Sequence, residues 1–311
     1  MKLFLILIIV IFTLLLIASI LLGRYVISTI FNPEKQTFED LRKQDSDFLE
    51  CFDAYENIWD RHEFSFERDG ANIKGEYIIN PASQGERKKV IIICHGHIAC
   101  RAADFKYAMT FYELGYNLVI FDERYFGESV ADHCTLGDKE RLDIAYIISY
   151  TREVFGQDAF IGLHGESMGG ASVLMVLEYQ KVDFVVADCP FANTKELLLF
   201  LSHKVAKFLA RPIVFFATIY GKKRGYDLTN VNPIEAVEKT DVPICFIHGE
   251  ADEFIPYEHS ERMYAVSKNS LNEIHIVPGA NHAKSNATDK TGYAKIIRDF
   301  VTKIEKASGV Y

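Results

Sequence analysis

From residue 90 to the end of the chain, short apolar runs rich in β-branched residues alternate with segments of helical hydrophobic spacing. This alternation predicts an α/β fold with a mostly parallel, doubly wound sheet, because parallel strands need crossover connections that place helices on both faces. The predicted strands are 90–94, 117–121, 159–163, 184–187, 244–247 and 273–277, and the predicted helices are 103–114, 138–154, 167–180, 257–267 and 293–306. Upstream, Asp69-Gly70 between the runs 62–67 and 73–79 predicts a hairpin.

A serine, an acid and a histidine follow three of the predicted strands, in that order along the chain. Ligands of open α/β sheets bind beyond the carboxyl ends of the strands. Ser167 lies in the sequence G-E-S-M-G at 165–169, which is typical of a sharp strand-to-helix turn that exposes a nucleophile. A serine hydroxyl needs an adjacent base. We therefore predict a triad in which Ser167 attacks, His282 is the base and Asp252 orients the imidazole.

Acyl transfer through such a triad also needs two N–H donors for the tetrahedral oxyanion. We predict that these donors are the backbone groups of Met168, at the start of a helix, and His97, in the loop after the first parallel strand. In the same loop, His95 is predicted to be structural. Cys100 is predicted to be a packed thiol, with a second nucleophile as the alternative.

Three further acids lie near the predicted triad. Glu250 and Glu253 are alternatives to Asp252, and Glu166, directly before the predicted nucleophile, is predicted to modulate access or charge. No H-E-x-x-H motif occurs, and no G-x-G-x-x-G motif follows a predicted strand. We therefore predict no metal and no cofactor.

The N-terminal residues 3–22 carry no charge. Twenty helical residues span about 30 Å, the thickness of a bilayer core, which predicts an uncleaved single-pass anchor in the cell membrane. A cleaved signal peptide is the alternative, and the side of the membrane on which the remaining chain lies stays open. The net charge of −9 argues against a nucleic-acid partner. The six cysteines show no C-x-x-C spacing, and nothing in the sequence requires disulfides.

These features divide the chain into three predicted parts: a transmembrane anchor at 1–23, a juxtamembrane linker helix at 24–61 and a catalytic domain at 62–311. Within the last part, a lid is predicted at about 190–235, where the apolar stretch 196–220 fits a pair of short helices broken at Pro212. The lid would supply apolar walls to the site.

Five motifs occur in the order of a known superfamily. They are H-G at 95–96, D-E-R-Y-F-G-E-S at 122–129, G-E-S-M-G-G at 165–170, H-G-E-A-D-E-F-I-P at 248–256 and G-A-N-H at 279–282. Over residues 62–305 the chain resembles the α/β-hydrolase superfamily, and within it bacterial membrane-anchored hydrolases related to serine aminopeptidases and to dienelactone-hydrolase-like esterases. The resemblance implies an α/β-hydrolase fold. Tyr125 stands where that superfamily commonly has glycine, which predicts a reshaped pocket wall.

The residues favour a serine hydrolase that cleaves a small-molecule ester, thioester or amide, most simply a carboxylesterase. A peptidase of the aminopeptidase kind is one alternative, for which Glu128, Glu166 or Glu250 would bind the substrate's amine. An acyltransferase that uses the same triad is another alternative. A catalytically silent, membrane-anchored binding protein is the alternative of a different class. The sequence carries no signal for an oligomeric state.

Overall fold

A computed structural model of the chain describes residues 1–44, 48–85 and 87–310, without the side chains of residues 44, 48 and 49. The strands of the described residues are β1 (Asp60–Arg68), β2 (Ala71–Ile79), β3 (Lys89–Cys94), β4 (Asn117–Asp122), β5 (Phe160–Glu166), β6 (Phe184–Asp188), β7 (Ile244–Gly249) and β8 (Glu273–Val277). They form one sheet in the order β1-β2-β4-β3-β5-β6-β7-β8. The pairs β1–β2 and β2–β4 are antiparallel and all other pairs are parallel. The predicted mostly parallel, doubly wound sheet is confirmed.

Helices cover both faces of this sheet, and others lie beyond it. The helices of the described residues are α1 (Lys2–Phe31), α2 (Phe38–Gln44), α3 (Phe48–Asn57), α4 (Phe105–Glu113), α5 (Glu140–Phe155), α6 (Met168–Met175), α7 (Thr194–Ala206), α8 (Ala210–Lys223), α9 (Pro233–Lys239), α10 (Glu258–Val266), α11 (Ser285–Thr288) and α12 (Lys290–Ser308). Ile91 and Ile93 of β3 face a core layer under α3, α4 and α12, whereas Val90 and Ile92 face the layer under α5, α6, α9 and α10. Both faces are apolar because both are buried, which explains the continuous rather than alternating hydrophobic runs.

The predicted lid segment contains α7 and α8, but the predicted break at Pro212 is wrong. The two helices are separated at 207–209, and Pro212 is the third residue of α8. The first four N–H groups of a helix have no intrahelical acceptor, so a proline in the first turn costs no hydrogen bond. The rule that proline breaks helices holds only for their interior.

The apolar N-terminal helix does not end at the predicted anchor boundary of residue 23. α1 continues to Phe31, and its last turns are buried against the domain, with Ile27 and Phe31 fully inaccessible. At Gly23 the helix lies directly against α8, since a Cβ there would be 2.8 Å from Ala217 N and from Ile213 O. α1 is long and apolar enough to cross a bilayer, a test that an N-terminal signal sequence also passes.

The segment predicted as a linker also packs on the domain. Phe105 of α4 has no exposed surface and is surrounded by rings of the preceding segment. Its ring centroid lies 5.3 Å from that of Phe52, 4.5 Å from that of Tyr55 and 5.6 Å from that of Trp59. These aromatic contacts hold α3 on the same face of the sheet as α4 and α12.

Candidate active site

The turn between β5 and α6 holds Ser167 in an uncommon backbone conformation, with φ 56° and ψ −111°. Its N–H donates to Asp188 O at 2.8 Å, which ties the turn to β6. A Cβ at Gly165 would lie 2.4 Å from Gly169 O, and one at Gly169 would lie 2.1 Å from Cys94 O. The two glycines of the motif are therefore sterically required, and the strained serine between them is of the kind found at nucleophile turns.

The structure brings the three predicted triad residues together from the ends of β5, β7 and β8. Ser167 Oγ lies 3.0 Å from His282 Nε2, and His282 Nδ1 lies 2.7 Å from Asp252 Oδ2. With Nδ1–H donating to the carboxylate, Nε2 is left free to accept the serine proton. The arrangement has the geometry of a serine nucleophile beside a general base.

Asp252 is held by four donors on two oxygens. Oδ1 accepts the backbone N–H groups of Phe254 at 2.9 Å and Ile255 at 2.8 Å, while Oδ2 faces His282 and His248. Burial alone would raise the pKa of Asp252, but hydrogen bonds from His248, His282 and the backbone outweigh it and lower the pKa. The carboxylate therefore stays ionised beside the imidazole.

The rival acids do not take this place. Glu253 points into solvent with 92% of its side chain exposed. Glu250 is exposed too, and its carboxylate accepts the N–H of Gly279 at 3.1 Å.

His248, at the end of β7, is a second partner of Asp252 that the sequence analysis did not identify. Its Nε2–H is directed between Ile255 O at 2.8 Å and Asp252 Oδ2 at 3.2 Å. Because the carbonyl of Ile255 can only accept, the proton lies on Nε2, and Nδ1 accepts the hydroxyl proton of Ser260 at 2.7 Å. The only sequence signal was its position four residues before the acid, at the end of a strand.

The two predicted oxyanion donors lie on either side of Ser167. Met168 is the first residue of α6, so its N–H has no intrahelical acceptor. β3 is the neighbour of β5, and a Cβ at Gly96 would lie 3.6 Å from Ser167 Cβ, so the backbone leading to His97 passes beside the serine. The role of both N–H groups in binding an oxyanion stays a prediction.

Side chains hold the loop after β3 in place. His95 Nδ1–H donates to Gly96 O at 2.8 Å, and its Nε2 accepts the N–H of Glu123 at 2.9 Å. His97 Nε2–H donates to Ile30 O of α1 at 3.1 Å. Cys100 is buried, and burial raises the pKa of its thiol to about 12, so it is a poor nucleophile.

Two cavities meet at Ser167, and both also reach His97 and Phe254. The larger, of about 560 Å³, is lined by charged and polar side chains as well as apolar ones, and its wall includes His282. The smaller, of about 390 Å³, lies between α1, α7 and α8 and is almost entirely apolar. We call them the polar cavity and the apolar cavity. Tyr125 lines neither of these two cavities, and its effect on a pocket wall stays a prediction. Its ring instead lies under Lys35 Nζ at 3.8 Å.

Glu166 and Lys106 form an ion pair at the base of the polar cavity, with Nζ 2.6 Å from Oε2, and Tyr107 donates its hydroxyl proton to the same carboxylate. Burial would raise the pKa of Glu166, but Lys106 and Tyr107 outweigh it and the pKa is lowered. Burial would lower the pKa of Lys106, but the charge and hydrogen bond of Glu166 outweigh it and the pKa is raised. Both groups are charged and compensate each other.

Among the described residues, two groups place three potential metal ligands close together. One is Cys189 with Asp252 and His282, and the other is Cys245 with Glu273 and His275. Burial raises the pKa of both thiols well above the usual range. Asp252 and His282 of the first group hydrogen-bond each other, as do Glu273 and His275 of the second.

The chain is similar to one protein family and to several known proteins. The prolyl oligopeptidase family matches residues 107–307, a range that contains all three triad residues. The chain is 28% identical over 282 residues to the protein YqkD of Bacillus subtilis (strain 168), covering 88% of this chain and 90% of that protein. It is 24% identical over 197 residues to the membrane protein YNL320W of Saccharomyces cerevisiae, covering 62% of this chain and 63% of that protein.

Among solved structures, the esterase Pf2001 of Pyrococcus furiosus superposes with a TM-score of 0.65 at 20% identity, covering 80% of this chain and 95% of that one. At this identity the likeness concerns the fold, which is that of the α/β-hydrolases.

Proposed function

The chain belongs to the prolyl oligopeptidase family and is a serine hydrolase of the α/β-hydrolase class, and we propose that it is a carboxylesterase acting through Ser167, His282 and Asp252. The observation that carries the proposal is the continuous hydrogen-bonded chain from Ser167 Oγ through His282 to Asp252. A binding protein of the same fold has no physical need for this chain, which argues against the catalytically silent alternative.

In the proposed reaction, Ser167 Oγ attacks the ester carbonyl carbon while its proton passes to His282 Nε2. The carbonyl π electrons move to the oxygen, whose negative charge the N–H groups of Met168 and His97 stabilise. Asp252 stabilises the imidazolium. The bond between the acyl carbon and the alcohol oxygen then breaks, and His282 gives its proton to the leaving alkoxide.

The acyl group now remains on Ser167 as an ester. A water molecule attacks this ester and passes a proton to His282, and a second tetrahedral intermediate collapses to a carboxylic acid. The proton on His282 returns to Ser167 Oγ, so the enzyme ends as it began and the net reaction is ester plus water to acid plus alcohol.

The three glutamates predicted to bind a substrate amine are already engaged, which favours an esterase over an aminopeptidase. A free substrate amine needs an unpaired carboxylate, but Glu166 is paired with Lys106 and Glu128 with Arg101, at 2.6 and 2.9 Å. The third candidate, Glu250, already accepts a backbone N–H and lines neither cavity. A neutral ester needs no such carboxylate.

The protein is further proposed to be anchored in the cell membrane by α1. Support comes from the length and composition of this helix and from the similarity to a yeast protein named as a membrane protein. Because α1 packs on the domain through Ile27 and Phe31, experiments should use the full-length chain in detergent micelles.

The test is labelling with a fluorophosphonate probe. We expect wild type to be labelled, Ser167→Ala to lose the label, and Ser202→Ala, a matched change of a serine in the same apolar cavity, to keep it. Folded wild-type protein without label would contradict the proposal, as would label retained in Ser167→Ala. A higher kcat/KM for alanine nitroanilide than for nitrophenyl acetate would instead favour the peptidase alternative.

A further inference from the structure

We propose that the substrate is an amphiphilic acyl ester drawn from a membrane, whose hydrocarbon chain enters the apolar cavity between α1 and α7 while its alcohol occupies the polar cavity. The proposal rests on the esterase function above and specifies the class of its substrate. It is argued from the positions of the two cavities, the lining of the apolar one, and the surface around its mouth.

The position of His282 decides which cavity takes which half of the ester. The base that accepts the serine proton must afterwards protonate the leaving oxygen, so the alcohol lies on the histidine side. His282 lines the polar cavity and not the apolar one, whereas Met168, the proposed oxyanion donor, lines only the apolar one. The acyl group bound to Ser167 therefore extends into the apolar cavity.

The lining of the apolar cavity suits a hydrocarbon chain. Its walls include Leu22, Val26 and Ile30 of α1 and Leu197, Leu198 and Leu201 of α7. A methylene group and a water molecule have similar volumes, about 30 Å³, so 390 Å³ corresponds to about 13 methylenes, enough for the chain of a decanoate or dodecanoate. For an ester dissolved in water, each methylene that enters the cavity favours binding by about fourfold, so a long chain is strongly preferred over a short one.

The lining of the apolar cavity includes two exposed residues, so the cavity opens to the surface there. Tyr25 of α1 and Val205 of α7 line the cavity and are 66% and 78% exposed. Tyr25 lies just beyond the uncharged run 3–22 of α1. A chain leaving the hydrocarbon core along α1 would therefore reach the mouth of the cavity without crossing water.

The turn between α7 and α8 has the composition of a membrane-contacting surface. Phe208 at its tip is 94% exposed, and Phe215 of α8 is 59% exposed. The exposed basic residues Lys204, Lys207 and Arg211 flank this tip. Apolar side chains surrounded by basic ones are typical of segments that insert into an anionic membrane interface. Because α8 packs against α1 at Gly23, the turn is held beside the proposed membrane span.

The first experiment measures kcat/KM of the full-length protein in micelles for nitrophenyl esters of increasing acyl length. We expect kcat/KM to rise from acetate to about the decanoate or dodecanoate and then to level off. Leu201→Trp fills the apolar cavity and should lower kcat/KM for the decanoate by about tenfold or more, with the acetate within about twofold. The matched control is Leu199→Trp on the same helix, which lies outside both cavities and should change neither.

Outcomes of this experiment separate the inference from the proposed function. If Ser167 is labelled and the acetate is hydrolysed, but the decanoate gains nothing or Leu201→Trp lowers both substrates equally, the acyl-cavity proposal is overturned and the esterase remains. If neither labelling nor hydrolysis occurs, the esterase itself fails. If thermal unfolding shows that Leu201→Trp is not folded, Val26→Phe replaces it. This change fills the same cavity from α1 and gives the same comparison.

A second experiment tests the membrane as the source of the ester. Phe208→Ser changes only an exposed side chain that lines neither cavity. We expect this variant to hydrolyse a diacylglycerol in phosphatidylcholine–phosphatidylglycerol vesicles several-fold more slowly than wild type, with equal rates on micellar nitrophenyl decanoate. Equal rates on the vesicles would overturn delivery from the membrane and leave a cavity for soluble acyl esters.

Discussion

Replacing Asp252 by asparagine tests the proposed triad with a change of almost no volume. The two oxygens of the buried carboxylate each face two N–H donors: Phe254 and Ile255 at Oδ1, and His282 and His248 at Oδ2. Whichever way the asparagine amide turns, its NH₂ group faces two donors and its oxygen only the other two. The variant therefore loses hydrogen bonds on one side without any loss of packing.

If the NH₂ group faces His282, the imidazole takes the tautomer with hydrogen on Nε2, which no longer accepts a proton from Ser167. A wrong tautomer and the lost stabilisation of the imidazolium together cost about 10⁴-fold in kcat, or ~5 kcal/mol. If the NH₂ group faces the backbone donors instead, the cost appears as about 1–3 kcal/mol in the free energy of unfolding. In either orientation the variant lacks the negative charge that stabilises the imidazolium, so kcat falls in both, and we expect the larger loss in kcat.

The assay is kcat for nitrophenyl acetate together with urea unfolding of the same preparations. Glu250→Gln and Glu253→Gln are matched controls, because they make the same chemical change on exposed neighbours. They should keep kcat within about twofold. A folded Asp252→Asn variant with more than a tenth of the wild-type kcat would refute the reasoning, as would an equally large loss in Glu250→Gln.

Three further predictions concern stability. Gly23→Ala should destabilise the fold by about 1–3 kcal/mol in thermal unfolding, because its Cβ would lie 2.8 Å from backbone atoms of α8; stabilisation by the usual helix-propensity gain would contradict this contact. Phe105→Ala should cost about 3–5 kcal/mol, since the ring is fully buried among aromatic rings, and a loss below about 1 kcal/mol in urea unfolding would contradict that packing. Burial, reinforced by the charge of Glu166, raises the pKa of Asp188 from 3.8 to about 6, so the native state binds this proton more tightly and the contribution of Asp188 to stability falls by about 3 kcal/mol as the pH rises from about 4 to above 6. Asp188→Asn should lack this fall, and an unchanged pH profile of the unfolding free energy would assign the effect to other groups.

The sequence by itself determined the features that depend on local sterics and local pattern. Continuous apolar runs such as 90–94 and 117–121 predict buried parallel strands because both faces of each strand must leave water. The small residues around Ser167 predict a tight turn because any Cβ there would meet backbone. Chain order and position at strand ends were enough to select Asp252 and His282 as candidates.

Only the tertiary structure decided features in which distant segments meet. His248 becomes a partner of Asp252 because the loop after β7 folds back on the strand. The hydrophobic periodicity of the sequence does not predict this contact. Sequence rules placed the helix break at Pro212, since they do not distinguish a proline in a first turn from one in an interior. The apolar cavity exists because α1 runs beyond its apolar stretch and packs on α8 at Gly23. Residues nearly two hundred positions apart form its walls, and their contact depends on how helices pack rather than on what each helix is made of.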